Sequence, residues 1–466
     1  MKNRVIAVIL TAIMAMSCLA GCGNNAEEDT TEKKATVQDE ETDAASTDDT
    51  DTVGADDDEA SIGDKVSLTV LCGYAGEDPH GQYIYQYAEA YMREHPNVEI
   101  EIQSISTNDI YTKLSSMATT PSDLPEVFFT SADAVATLHD LGLTQDLAGL
   151  LSDENIEKFA EGVIDSCKFG DEITYFPIAV QPQAVIYRQD RFEEAGLSIP
   201  TNWDDFVKCA QALTKDEDDD GTAEEWGFGM IGANNSSGQS RFLSYLWANG
   251  VDAILEENGE WGTDLTVDNE KLSQAFTRWT DMNVEGIVPI GITEVDYPTA
   301  ANYFAMGYTS MFMTGSNALG VAYANNPDLE GKLGSFKLPG EYAGTMLGTE
   351  GYAVSSHADE ATQEVAVDFL NFFVEHDQEM SFWQSSGKIP ATTDGQTAEY
   401  IMGDDYAGYL QQIADGCRPV ASFAGISGLK SVLGDAYASV FSEEKTSEQA
   451  LEILESATKE LLEDYN

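Results

Sequence analysis

The chain reads as an α/β protein with a parallel sheet in its first part and a second domain after it. Three observations point there. Strand and helix periodicities alternate from residue 65, the pattern restarts near residue 185, and the folding part of the chain, roughly 400 residues, exceeds what one hydrophobic core usually serves.

The first residues must be set aside before composition has meaning. Lys2 and Arg4 give a positive start, and residues 5–16 form an apolar run too short to span a bilayer. Leu19, Ala20, Gly21 and Cys22 resemble the bacterial lipoprotein box, so residues 1–21 are expected to be a lipoprotein signal peptide and Cys22 the lipidated new N-terminus. Residues 22–64 then carry 16 acidic side chains, 2 lysines and almost no large apolar group, which predicts a disordered acidic tether. Its coil reach is about 30–40 Å by flexible-chain scaling.

The whole chain has 83 acidic and 23 basic residues, a net charge of −60. With the tether's charges, Lys2 and Arg4 removed, 67 acids and 19 bases remain, near −48. Such a field repels nucleic acid and anionic headgroups, so polyanionic ligands are expected to be poor candidates and neutral or cationic ones better, with membrane contact through the lipid anchor alone. Cys72, Cys167, Cys209 and Cys417 remain beside the lipid site; they lack metal-ligand spacing, and whether they pair is left open.

Residues 65–71 (KVSLTVL) alternate as a strand, 83–94 follow an amphipathic helical pattern, and 98–105 (VEIEIQSI) alternate again. A helix over 108–117 and a strand over 126–130 (EVFFT) extend this to a parallel sheet with right-handed crossovers. Ligand crevices form at the carboxyl ends of such strands, here the loops 73–81, 107–111 and 131–133. In 176–185 (FPIAVQPQAV) two apolar stretches flank Gln181, Pro182 and Gln183, which reads as a crossing between domains. A strand (VIYR, 185–188) and helices over 190–195 and 203–213 follow.

From Tyr187 to Phe206, YRQDRFEEAGLSIPTNWDDF resembles a stretch of the extracellular solute-binding proteins of ABC importers. Residues 300–315 (AANYFAMGYTSMFMTG), 348–354 (GTEGYAV) and 387–391 (GKIPA) resemble segments of the carbohydrate-binding, maltose-binding-protein-like branch, in the same order. Two positions depart from that pattern: Arg188 replaces a usual asparagine, and Glu350 stands where an aromatic often stacks on sugar. The resemblance implies a two-lobed periplasmic-binding-protein-like (type II) clamp with discontinuous lobes and an interlobe hinge. The expected division is 65–179 plus 293–344 for the N-terminal lobe and 180–292 plus 345–466 for the C-terminal lobe. It further implies a monomeric, non-enzymatic receptor at the extracellular face of the membrane, passing a sugar or oligosaccharide to ABC transporter permease subunits. A cationic solute such as a polyamine is the alternative that acidity and Glu350 permit; a surface glycoside hydrolase is the enzymatic one.

A sugar needs planar aromatics against its apolar face and amide, hydroxyl or carboxylate partners for its hydroxyls. The interlobe loops offer Tyr74, Glu77, Asn108, Tyr111, Ser131, Asp133, Thr314, Ser316 and Asn317 from one lobe, and Gln181, Gln183, Asn234, Trp247, Glu350 and Trp383 from the other. Asn108 and Asp133 also suit helix capping, and Trp247 suits core packing at its spacing from Leu243. Asp216, Asp218, Asp220 and Gly221 form D-x-D-x-D-G, the first half of a calcium loop; Thr222 and Glu224 could add ligands, but Gly227 replaces the bidentate glutamate. Structural calcium and a plain acidic turn both remain open, and no other cofactor is expected. Residues 227–232 (GFGMIG) match a dinucleotide fingerprint without its strand and helix context, so an ordinary apolar strand is expected there. H-E-x-x-H and G-x-S-x-G are absent.

Overall fold

The computed structural model describes residues 65–74, 81–120, 123–160, 162–218, 220–257, 259–340, 342, 344–375, 386–418 and 423–466. Cys22, the signal segment, the tether, Glu77 and Trp383 lie outside them, as does the side chain of Asn108. In chain order the strands are β1 (Val66–Cys72), β2 (Val98–Ser104), β3 (Val127–Ser131), β4 (Lys168–Phe169), β5 (Glu172–Ile173), β6 (Phe176–Val180) and β7 (Ala184–Arg188). They continue with β8 (Trp226–Phe228), β9 (Leu255–Glu257), β10 (Glu260–Gly262), β11 (Thr309–Thr314), β12 (Leu333–Lys337), β13 (Glu350–Val354) and β14 (Ile389–Pro390).

One sheet runs β14-β6-β13-β3-β1-β2, with β1 parallel to both β2 and β3. Its edge strand β2 alternates buried and exposed residues at its start, whereas the central strands β3 and β13 are buried along almost their whole length. The chain leaves β1 for β2 on one side and returns to β3 on the other, so the carboxyl ends of β1 and β3 flank a switch point where a crevice opens. Helices Gln82–Glu94 and Glu360–Glu375 pack together through aromatic contacts, with Tyr87 stacked on Phe373 at 3.7 Å between centroids.

A second sheet runs β12-β7-β11-β8. Its core is aromatic: Phe242 and Tyr245 of helix Ser236–Ala248 meet Trp279 of helix Glu270–Val284 with centroids 5.5 and 4.7 Å apart. Of the GFGMIG segment only Gly227 and Phe228 belong to β8; Met230 and Ile231 are buried beyond the strand's end, so the expected strand is shorter than 227–232.

Each sheet with its helices forms a lobe, and the crossing expected at FPIAVQPQAV is present: β6 belongs to one sheet and β7, after three intervening residues, to the other. The later segments correct the expected lobe division. β11 pairs with β7 and β8, placing most of 293–344 in the second lobe; β13 and β14 pair with β3 and β6, returning 350–354 and 389–390 to the first. Helix Glu360–Glu375 follows β13 there, while helix Asp404–Asp415 packs on β12 and β7. Apolar strands look alike in sequence, and only long-range pairing says which sheet receives each. The return crossing is tight at Gly348, whose φ of +64° and 2.5 Å gap from a Cβ position to the Gln181 carbonyl oxygen leave room for glycine only. Cys72, Cys167, Cys209 and Cys417 are free thiols.

Candidate functional site

A cleft of about 900 Å³ lies between the two lobes. The first lobe lines it from the switch point: Tyr74 just after β1, Tyr111 in helix Thr107–Met117, and Ser131 and Asp133 at the end of β3. Gln181 and Gln183 enter from the crossing. The second lobe presents helix N-termini. Asn235 caps Ser236–Ala248 by accepting the amides of Ser237 and Gly238, both at 3.1 Å, and so brings Ser236, Ser237 and, one turn on, Arg241 to the cleft. Asp296 caps Tyr297–Met306 by accepting the Thr299 amide at 3.0 Å, which presents Tyr297. Asn317 follows β11 and donates to the Tyr297 hydroxyl at 3.0 Å.

Two polar networks fix these side chains. In the first, Tyr111 and Ser131 share a hydrogen bond at 2.7 Å, Ser131 donates to Asp133 at 2.6 Å, and Lys430 of helix Ile426–Phe441 donates to Asp133 at 3.1 Å and to Ser236 at 3.2 Å. Lys430 therefore ties the second lobe to the first across the cleft. Burial alone would raise the Asp133 carboxyl, but Lys430 and the Ser131 hydroxyl hold it below its usual value. Burial pushes the Tyr111 phenol up, so it stays protonated as a donor.

In the second, Glu350 accepts from Tyr74 and from Gln181, each at 3.1 Å, and pairs with Lys388. Lys388 is wholly buried, its ammonium 4.3 Å from the Tyr74 ring centroid. Gln183 is buried and faces the cleft, and its Oε1 has no hydrogen-bond partner among the described residues. A buried acceptor left open is costly, so this oxygen is suited to a donor brought by a ligand.

Polar groups thus converge from both lobes, with aromatic rings among them, in a space sized for a small solute. Residues 74–380 match the bacterial extracellular solute-binding protein family. The chain belongs to that family. Among relatives, it is 24% identical over 397 residues to the diacetylchitobiose binding protein DasA of Streptomyces coelicolor, covering 84% of this chain and 82% of that protein. Among solved structures it resembles a Thermus thermophilus maltotriose binding protein bound with maltotriose, at 18% identity and TM-score 0.70 over 86% of this chain and 100% of that one. A Thermotoga lettingae ABC transporter solute-binding protein bound with α-D-tagatose aligns at 16% identity and TM-score 0.74, over 85% and 99%. These structures share the two-lobed α/β fold.

In this solute-binding protein the cleft receives Tyr74, Tyr111, Ser131, Asp133, Gln181, Gln183 and Asn317 of the residues expected from sequence. Others are corrected. Asn234 faces away, donating to Asp435 at 2.6 Å. Trp247 is core, 2% exposed, as its helical spacing from Leu243 allowed. Ser316 is buried outside the cleft lining, and Thr314 stands behind it, accepting from Arg241 at 3.0 Å. Glu350 also stands one layer back, positioning Tyr74 and Gln181. It is no open carboxylate for a cation, because Lys388 occupies it. Arg188, which departs from the family pattern, makes a bidentate pair with Asp190 at 2.8 and 2.6 Å, a local structural role.

Sequence reasoning missed Arg241, Tyr297 and Lys430. A readable signal existed for two. A lysine in the apolar run ISGLKSVLG breaks helical periodicity and asks for a buried partner, and an aspartate before YPTAANYF marks a helix start that presents the next residue. Arg241 carried no such signal in its helix.

The acidic loop does gather: carboxylates of Asp216, Asp218, Asp220 and Glu224 come within 4.8 Å of one another. They already accept loop amides, Asp216 those of Asp220 and Gly221, Asp220 that of Thr222 and Glu224 that of Glu217. None of these residues lines the cleft.

Proposed function

We propose that this protein is a receptor for a sugar or oligosaccharide, held at the outer membrane face by lipid on Cys22, which delivers its solute to an ABC permease. The single observation carrying the reading is the interlobe cleft, where Tyr74, Tyr111 and Tyr297 accompany amide and hydroxyl groups from both lobes and the open Gln183 oxygen. The sugars named for the relatives above support it. The cationic alternative loses its main basis, because Glu350 is neutralised by Lys388. A binding protein is also favoured over a glycosidase: Asp133, held ionised by Lys430, is unsuited to protonate a leaving group, and Asp296 is committed to its helix cap.

Calorimetric titration of the purified body with a panel of mono- and oligosaccharides tests the reading. Saturable binding to a subset is expected; no heat from any sugar, with binding of an amino acid or polyamine instead, would overturn it. For the anchor, Cys22→Ser is expected to move the protein from the membrane fraction to the medium with sugar affinity unchanged. Retention on membranes would count against the lipid.

A further inference from the structure

Arg241 is 7% exposed, lines the cleft, and has no carboxylate within ion-pair distance among the described residues. Its acceptors are neutral: the Met313 carbonyl at 3.1 Å, the Ser237 carbonyl at 2.9 Å and the Thr314 hydroxyl at 3.0 Å. Those bonds use three of the five N–H groups that a guanidinium carries, which leaves two. The charge also lies 5.3 Å from the centroid of the Tyr297 ring, itself a cleft residue. The other cations near the cleft are satisfied otherwise, Lys430 by Asp133 and Lys388 by Glu350. Asp296 lines the same cleft but forms no ion pair with Arg241.

A buried charge compensated only by neutral dipoles is an expensive element to keep, and arginine's planar fork matches a carboxylate through two parallel N–H bonds. Burial draws the guanidinium down to about 10, still charged at neutral pH, and no carboxylate is among the groups that oppose the shift. We infer that the solute brings the missing anion: the ligand class is an acidic sugar, a hexuronate or an oligosaccharide containing one, its carboxylate docked on Arg241. This deepens the sugar-receptor reading and rests on it. The acidity of the body does not oppose it, since exposed charges are screened beyond roughly 8–10 Å at physiological salt whereas Arg241 acts at contact.

The test compares, by calorimetry on the purified body, hexuronate disaccharides with the same disaccharides after reduction of the carboxyl groups to primary alcohols. The uronates are expected to bind about tenfold to a hundredfold tighter than their reduced forms. Arg241→Gln should abolish that preference, and Arg241→Lys should retain part of it. Equal binding of acidic and reduced forms to the native protein would overturn the inference while leaving the sugar reading intact. Failure of both forms, together with every neutral sugar, would overturn the two together. The native comparison decides the matter even if Arg241→Gln folds poorly.

Discussion

Replacing Lys388 by methionine is expected to lower the unfolding free energy by about 3–5 kcal/mol, the scale measured when one partner of a buried ion pair is removed. The Lys388 side chain is wholly buried and that of Glu350 is 7% exposed, so water cannot replace the lost partner. Glu350 would keep its hydrogen bonds from Tyr74 and Gln181 but lose the only cation paired with it among the described residues. Urea denaturation of the two proteins measures the effect. The double variant Lys388→Met with Glu350→Gln should recover most of the loss, because neutral glutamine carries no charge to strand. A loss under about 1 kcal/mol in the single variant would show that the pair is not carrying buried charge. Tyr74 and Gln181 would lose their fixed positions as well, so the single variant should bind solute more weakly even where it remains folded.

The second large effect is on affinity. Tyr111 and Tyr297 line the cleft from opposite lobes, and each ring is held through its hydroxyl, which donates to Ser131 at 2.7 Å in Tyr111 and accepts from Asn317 at 3.0 Å in Tyr297. A fixed ring gives a sugar face apolar area at low entropic cost. Full loss of one aromatic contact is worth about 1.5–3 kcal/mol, hence about tenfold or more in affinity. Tyr111→Ala combined with Tyr297→Ala is therefore expected to weaken sugar binding by at least about a hundredfold, with each single variant near tenfold. Calorimetry against the tightest sugar of the panel reads this. A double variant no weaker than either single would mean that the lobes do not close on the solute together, contrary to the clamp mechanism. Because the two residues sit on separate networks, their losses should add approximately.

Glu350 shows how far a local reading reaches. Its departure from the aromatic pattern was visible in the segment GTEGYAV, and it raised a carboxylate as a ligand for hydroxyls or cations. The partner that decides otherwise, Lys388, is 38 residues away in GKIPA, a segment noted for a different reason. The pairing depends on β13 and β14 flanking the same strand, β6, which no periodicity announces. Gln183 is the opposite case. The polar insert between two apolar stretches placed it at the crossing, and there it lies, with its oxygen open to the cleft.

By itself the sequence determined the elements and the switch-point loops. The alternation in KVSLTVL and VEIEIQSI, the apolar EVFFT strand and the polar insert at Gln181–Gln183 are local patterns, and burial of one face follows from spacing alone. Tyr74, Tyr111, Ser131 and Asp133 were legible because a carboxyl-end loop must project toward the crevice wherever its strand sits. Only the tertiary structure decided which sheet receives β11, β13 and β14, and with it the lobe division. It alone brought Lys430 to Asp133, Lys388 to Glu350 and Arg241 to the cleft wall. Those outcomes depend on groups far apart in the chain, where charge burial and strand pairing are settled by distance in space.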